Sequence, residues 1–252
     1  MTTRMHEMHT QTGPVIVARG LTRHFTARKQ TVEAVRGLDL EIRQGELVAF
    51  LGPNGAGKST TLRMLTTLIE PTSGTAEVVG HDVVRQRREV RRSIGYVGQG
   101  NAAGHAQRGR DELVSQGRAF GLSRAAAYAR AEELLEAVGL ADARHLTAVE
   151  LPYGRKRALE IATTLALDPE MMLLDEPMAG MGHEDIDRIS DLIKRVSANR
   201  TVLMVEHNLS VVAKLSNWIT VLTRGQILAQ GDYATVANDP KVQQAYMGVG
   251  HG

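Results

Sequence analysis

Two segments of this sequence have the residue types and the order needed to handle a phosphate. The first is Gly52-Pro53-Asn54-Gly55-Ala56-Gly57-Lys58-Ser59, followed by Thr60, which fits the phosphate-loop pattern GxxxxGK[ST]. Its glycines let successive backbone N–H groups converge on one anion, and a helix opening at Lys58 adds the partial positive charge of its N-terminus. Lys58 supplies a full charge for the β- and γ-phosphates of a nucleoside triphosphate, and the Ser59 hydroxyl is placed to ligate Mg²⁺. The second is Met171-Met172-Leu173-Leu174-Asp175-Glu176, four apolar residues and then two acids. A buried strand ending beside the phosphate loop puts Asp175 where it holds Mg²⁺ through water, and Glu176 where it polarises an attacking water. Solvated acids at the end of a core strand are the competing reading of that run, and the neighbouring phosphate loop outweighs it.

These segments need elements to position them. Apolar, β-branched runs predict strands at 15–25, 32–42, 46–51, 74–79 and 94–98. A helix starts at Lys58 with Leu62, Leu65 and Ile69 on one face and stops before Pro71. From about 100 to 168 the period is helical. Ala131, Leu134, Leu135 and Val138 follow helical spacing between Ser123 and Gly139, as do Ala158, Ile161, Ala162 and Leu165 before Asp168-Pro169. The continuous apolar runs 171–174 and 201–205 read as buried parallel strands, joined by an amphipathic helix carrying Ile186, Ile189, Ile193 and Val196. Strands flanking Arg224-Gly225 make a hairpin. The expected fold class is α/β, with a P-loop NTPase (RecA-like) core around a mostly parallel sheet, an antiparallel β subdomain and an inserted helical subdomain. Residues 1–14 read as a loose tail and 15–252 as one domain. Within it, 15–100 and 156–252 form the nucleotide-binding core and 101–155 the helical subdomain.

Composition narrows the partners. The 252 residues are 42% hydrophobic and 23% charged, with net charge +2 and no cysteine. The balance does not suggest a nucleic-acid binder, and the missing thiols exclude disulfides and fit a reducing compartment. No apolar run approaches the ~20 residues that span a bilayer, so membrane association is expected only through a partner. The basic run Arg85, Arg87, Arg88, Arg91, Arg92 reads as the solvated face of a short helix. His6 and His9 lack the further ligands a metal site needs. Met171, Met172, Met178 and Met181 read as packing residues.

The phosphate loop alone does not separate the several classes of P-loop protein. The order phosphate loop, Gln99, Leu151–Arg155, Asp175-Glu176, His207 resembles that of ABC (ATP-binding cassette) transporter ATPases from about residue 15 to the end. The resemblance implies that Gln99 touches Mg²⁺ and the attacking water beside the membrane subunit. It also implies that His207 bonds the γ-phosphate and that Phe25 stacks on adenine, a core Phe being the alternative there. In the family, the signature segment of one subunit caps the ATP on the phosphate loop of another. One set of motifs therefore implies a second ATPase subunit, identical or related, and transmembrane permease subunits, on the cytoplasmic face of the membrane. A weakly hydrolysing, ATP-clamping subunit and a soluble non-transport ABC ATPase are the alternatives.

The signature segment departs from the family's LSGGQ. Leu151 and Gly154 are kept, while Pro152, Tyr153 and Arg155 replace Ser, Gly and Gln. Pro152 cannot donate to a phosphate; Arg155, with Lys156 beside it, either offsets part of that contact with positive potential or points to solvent or to the membrane subunit. Ala179-Gly180-Met181-Gly182 stands where SALD is common, without its Asp. Glu33–Thr72 and Arg92–Gly121 resemble the ATPases of daunorubicin-type drug exporters. Leu151–Asp185 and the ending from Asp239 resemble those of branched-chain amino-acid importers, the change falling near 140–150. Import and export therefore both stay open.

Overall fold

The computed structural model describes residues 13–27, 30–99 and 107–247. Most of the expected tail, and with it His6 and His9, lies outside them. Strands β1 (Pro14–Ala27) and β2 (Gln30–Arg43) pair antiparallel, β1 also pairs with β4 (Ser73–Val78), and β4 with the short β5 (His81–Asp82). This four-stranded sheet has the order β2-β1-β4-β5. The second sheet contains β3 (Leu47–Leu51), β6 (Ile94–Val97), β7 (Met171–Asp175), β8 (Thr201–Val205), β9 (Trp218–Thr223) and β10 (Gln226–Gly231) in the order β10-β9-β3-β8-β7-β6. All its pairings are parallel except the β9–β10 hairpin around Arg224-Gly225.

Every residue of β3, β7 and β8 is buried, as expected of strands covered on both faces. Alternation divides them between two cores. Val48, Phe50, Met171, Leu173, Leu203 and Val205 face a cluster shared with the antiparallel sheet and helix α1 (Lys58–Leu65). Leu47, Leu51, Met172, Leu174, Val202 and Met204 face a second cluster. That one is shared with α3 (Gly109–Ala119), α4 (Arg124–Ala137), α5 (Tyr153–Leu165) and α6 (His183–Ser197). Met171, Met172 and Met178 are buried and Met181 packs beside them, so all four are packing residues.

Two helix ends fall short of expectation. Helix α1 ends at Leu65, not just before Pro71, because Thr67 takes φ 61 and Leu68 and Ile69 both donate N–H to the Arg63 carbonyl. Ile69 still packs on the core from this turn, which is why its spacing looked helical. Helix α5 stops at Leu165, short of Asp168, whose φ of 47 closes the chain. The basic run falls on the short helix α2 (Arg87–Ser93) and the turn before it; Arg91 Nε donates to Thr67 Oγ1 at 2.8 Å and Arg87 pairs with Glu70. Helices α7 (Leu209–Leu215), α8 (Tyr233–Ala237) and α9 (Pro240–Met247) follow β8 and β10.

Candidate nucleotide and hydrolysis site

Strand β3 delivers the phosphate loop at its carboxyl end, where α1 begins. Two of its glycines are demanded by crowding. A methyl group at Gly52 (φ 149) would meet the Leu222 carbonyl oxygen at 2.2 Å, and one at Gly57 (φ 96) the Ala34 oxygen at 2.5 Å. The Lys58 ammonium donates to the carbonyls of Gly52 at 2.6 Å and Pro53 at 3.0 Å. Burial lowers its pKa, while the charges of Glu176, Asp175 and Glu206 oppose that shift and favour the cation a phosphate needs.

Ser59, the next residue on α1, donates its hydroxyl to Asp175 Oδ1 at 2.9 Å, joining the phosphate loop to the end of β7. Asp175 is fully buried, and its Oδ2 has no hydrogen-bond partner among the described residues. Burial pushes this carboxyl above its ordinary pKa. A hydroxyl and a carboxylate with a spare buried oxygen form a hard-oxygen donor set that fits Mg²⁺, which takes few protein ligands and keeps water and phosphate for the rest. Glu176 follows in the left-handed region at φ 48, with its N–H bonded to the Val205 carbonyl of β8 at 3.0 Å. A non-glycine residue persists there only when its surroundings over-determine it.

A cavity of about 300 Å³ is lined by Asn54, Gly55, Ala56, Gly57, Lys58, Ser59, Thr60, Gln99 and Glu176. Gln99, two residues beyond β6 and exposed, thus shares one space with the phosphate loop and the acid at 176. His207 is exposed just past β8, and Asn208 caps α7 behind it, its side-chain oxygen accepting from the N–H groups of Ser210 and Val211. Phe25 lies on β1, 40% exposed, with the Arg23 guanidinium 4.7 Å from its ring centroid.

In the signature segment, Leu151 is buried and Pro152 occupies the N-cap of α5 without a capping side chain. A methyl group at Gly154 would meet the Asp185 carboxylate of α6 at 2.4 Å, so a larger residue there would have to push that partly exposed side chain aside. Arg155 does not stand free. Its guanidinium bonds Asp142 at 2.9 Å, beyond α4.

Two residues that the sequence reading passed over prove central. Arg157, 3% exposed, donates to the carbonyls of Gly98, Asp175, Glu176 and Pro177 and pairs with Glu160 at 2.8 Å. It ties the root of the Gln99 loop and both acids to α5. Glu206, 1% exposed, accepts N–H groups from Met178 and His207. The signals were present: Arg157 is a charge on the apolar face of its helix, and Glu206 ends an apolar strand as Asp175 does.

A phosphate loop at the head of a parallel sheet, two acids at the end of the next-but-one strand and a signature segment opening α5 define a P-loop ATPase of the ATP-binding cassette class. The family model described as ABC transporter matches residues 35–179, and one described as branched-chain amino acid ATP-binding cassette transporter matches 226–252. The chain is 38% identical to the daunorubicin/doxorubicin resistance ATP-binding protein DrrA of Streptomyces peucetius, over 89% of its own length and 67% of the relative's. It is 33% identical to the high-affinity branched-chain amino acid transport ATP-binding protein LivG of Salmonella typhimurium, over 93% and 98%. Two further Streptomyces coeruleorubidus resistance proteins are covered over 63% and 61% of their length. The fold matches that of the ATP-binding cassette MJ0796, in a dimeric post-hydrolysis state with ADP and phosphate. The TM-score is 0.78 at 23% identity, over 86% of this chain and 98% of that one. The chain belongs to the ABC transporter ATP-binding family and is an ATPase of that class.

Proposed function

We propose that this chain is the ATP-hydrolysing half of a nucleotide-sandwich dimer that drives a separate membrane permease from the cytoplasmic face. The observation that carries the reading is the single cavity shared by the phosphate loop, Gln99 and Glu176. In this reading Gly52–Thr60 cradle the triphosphate, Lys58 binds its β- and γ-phosphates, and Phe25 stacks on adenine. Ser59, Asp175 and Gln99 hold Mg²⁺, which when bound neutralises charge on the phosphates. Glu176 orients and polarises the attacking water, His207 contacts the γ-phosphate, and Leu151, Gly154 and Arg155 face the partner subunit's nucleotide. No helix among the described residues is long and apolar enough to cross a membrane, which suits a subunit that reaches the bilayer through its permease.

The cargo is proposed from two classes, drug-like molecules for export and branched-chain amino acids for import. The phosphate-loop half resembles the first kind, and the model for residues 226–252 is of the second; co-purification with one short permease or with a pair of long ones separates them. The ATPase mechanism is tested by Glu176→Gln. The amide keeps the shape but cannot accept a proton, so hydrolysis should fall by ~10²–10⁴ while ATP binding persists. Mg-ATP should then shift the variant to a dimer in size-exclusion chromatography. A monomer with and without nucleotide, or wild-type turnover, would refute the sandwich.

A further inference from the structure

Glu206 is a carboxyl buried to 1% exposure at the end of β8, in the one-residue step between the strand and His207. Its two oxygens have separate tasks. Oε2 accepts the N–H of His207 at 3.2 Å, and Oε1 accepts the N–H of Met178 at 3.3 Å, across the gap to the chain leaving β7. Its own N–H is bonded to the Phe50 carbonyl of β3, and the Glu176 N–H to the carbonyl of Val205 just before it. Arg157 meanwhile holds the carbonyls of Asp175, Glu176 and Pro177 from the α5 side. The segment carrying Glu176 in its left-handed conformation is therefore gripped at its carbonyls by Arg157 and at the Met178 N–H by Glu206. A buried acid is costly unless bonded, and the bonds to His207 and Met178, with the Asn208 backbone a further partner, go to backbone that flanks residues given a role in hydrolysis.

We propose that Glu206 is a positioning residue for hydrolysis: its carboxyl locks the His207 backbone to the Glu176–Met178 segment, so that the γ-phosphate contact and the water-polarising acid move as one unit. The inference rests on the reading of His207 given above. Neither Glu206 oxygen touches nucleotide in this scheme. The effect acts through the N–H of residue 207 and the N–H of residue 178, and it belongs to the rate of the chemical step, not to ATP capture by the phosphate loop. Met178 leads directly into Ala179–Gly182 and the start of α6, so the same lock sets where that turn begins.

The test is a double-mutant cycle on the full chain, read as ATP affinity by fluorescent-nucleotide titration and as single-turnover hydrolysis. Glu206→Gln keeps the shape but offers one acceptor where two N–H groups require two. It should bind ATP within about twofold of wild type and hydrolyse it about tenfold more slowly, the scale of one buried hydrogen bond to a charged group. His207→Ala should lower the rate on its own. If Glu206 couples His207 to the Glu176–Met178 segment, the double variant loses less than the product of the two single losses, because coupled residues are non-additive. Multiplying rate losses, or wild-type hydrolysis in Glu206→Gln, would overturn the lock. Wild-type hydrolysis in His207→Ala would overturn the reading of His207 and the lock with it. Should Glu206→Gln fail to fold by circular dichroism, Glu206→Asp replaces it in the same cycle. Asp keeps the charge but is one methylene too short to reach both N–H groups, and the same outcomes decide.

Discussion

At the scale of single residues, Asp175 is pulled two ways. Burial raises its carboxyl above the ordinary value, and the hydrogen bond from Ser59 only partly opposes this. A carboxyl raised on folding adds stability while it is protonated, and that contribution is lost as pH rises through its folded pKa. Above that pKa the ionised group weakens the nucleotide-free fold, and Mg-ATP should recover the loss. Asp175→Asn keeps an acceptor for Ser59 and removes the charge. Its nucleotide-free Tm should exceed that of wild type by ~2–4 °C near neutral pH, the scale of ~1 kcal/mol in a chain of this size. The gain should shrink toward the ordinary carboxyl pKa of ~4, and the rise in Tm that Mg-ATP gives the wild type should disappear. Calorimetry across that pH range checks it, and equal Tm values at neutral pH would mean that Asp175 carries no such strain.

At the scale of elements, α5 joins the signature segment to the catalytic edge of the sheet. Pro152 and Tyr153 start the helix, and one turn later Arg157 grips the chain on which Asp175 and Glu176 sit. Guanidinium suits this because its rigid planar fork spreads five N–H donors over a wider span than the single nitrogen of an ammonium. Arg157→Met should cost ~3–5 kcal/mol, as expected when one member of a buried ion pair is removed, seen as a lower urea midpoint at unchanged slope. Arg157→Lys should recover part of that stability but little of the turnover, because one point charge cannot hold Gly98 and Glu176 together. If Lys restores both, the fork geometry is unimportant. The early end of α1 belongs to the same scale. Ile69 has helical spacing and packs on the core, yet the chain reaches that contact through a left-handed turn at Thr67.

At the scale of the whole molecule, Arg155 is paired within the chain, and the proposed sandwich would offer it a second partner across the dimer. Its bond to Asp142 joins side chains 33% and 66% exposed, and such screened surface pairs stabilise little. A charge-assisted contact to phosphate in a closed interface is worth ~1.5–3 kcal/mol, enough to draw the guanidinium off Asp142 when two subunits close on ATP. In the Glu176→Gln background, Arg155→Gln should weaken ATP-driven dimerisation several-fold, and Asp142→Asn should strengthen it by up to about fivefold. Both should leave the ATP affinity of the monomer unchanged. Analytical ultracentrifugation with and without Mg-ATP measures this, and parental dimerisation in both variants would keep Arg155 in its intrachain pair.

The sequence alone determined the chemistry that depends on local pattern. The spacing of Gly52, Gly57, Lys58 and Ser59 identified the phosphate loop, because backbone N–H convergence is a property of a few adjacent residues. The apolar runs ending at Asp175 and at residue 205 identified core strands, because parallel strands covered on both faces need apolar residues throughout. Periodicity likewise found α4 and α6. Only the tertiary structure decided what depends on distant segments meeting. Ser59 reaches Asp175 because β3 and β7 lie two strands apart in the sheet, with β8 between them. Gly154 lies against the carboxylate of Asp185, thirty-one positions on, and Arg155 is taken by Asp142. Arg157 on the apolar face of its helix and Glu206 at the end of an apolar strand stand out in the sequence, but nothing local shows which carbonyls and N–H groups from other strands surround them. Their burial, and the bonds that make it tolerable, exist only once the sheet and α5 have come together.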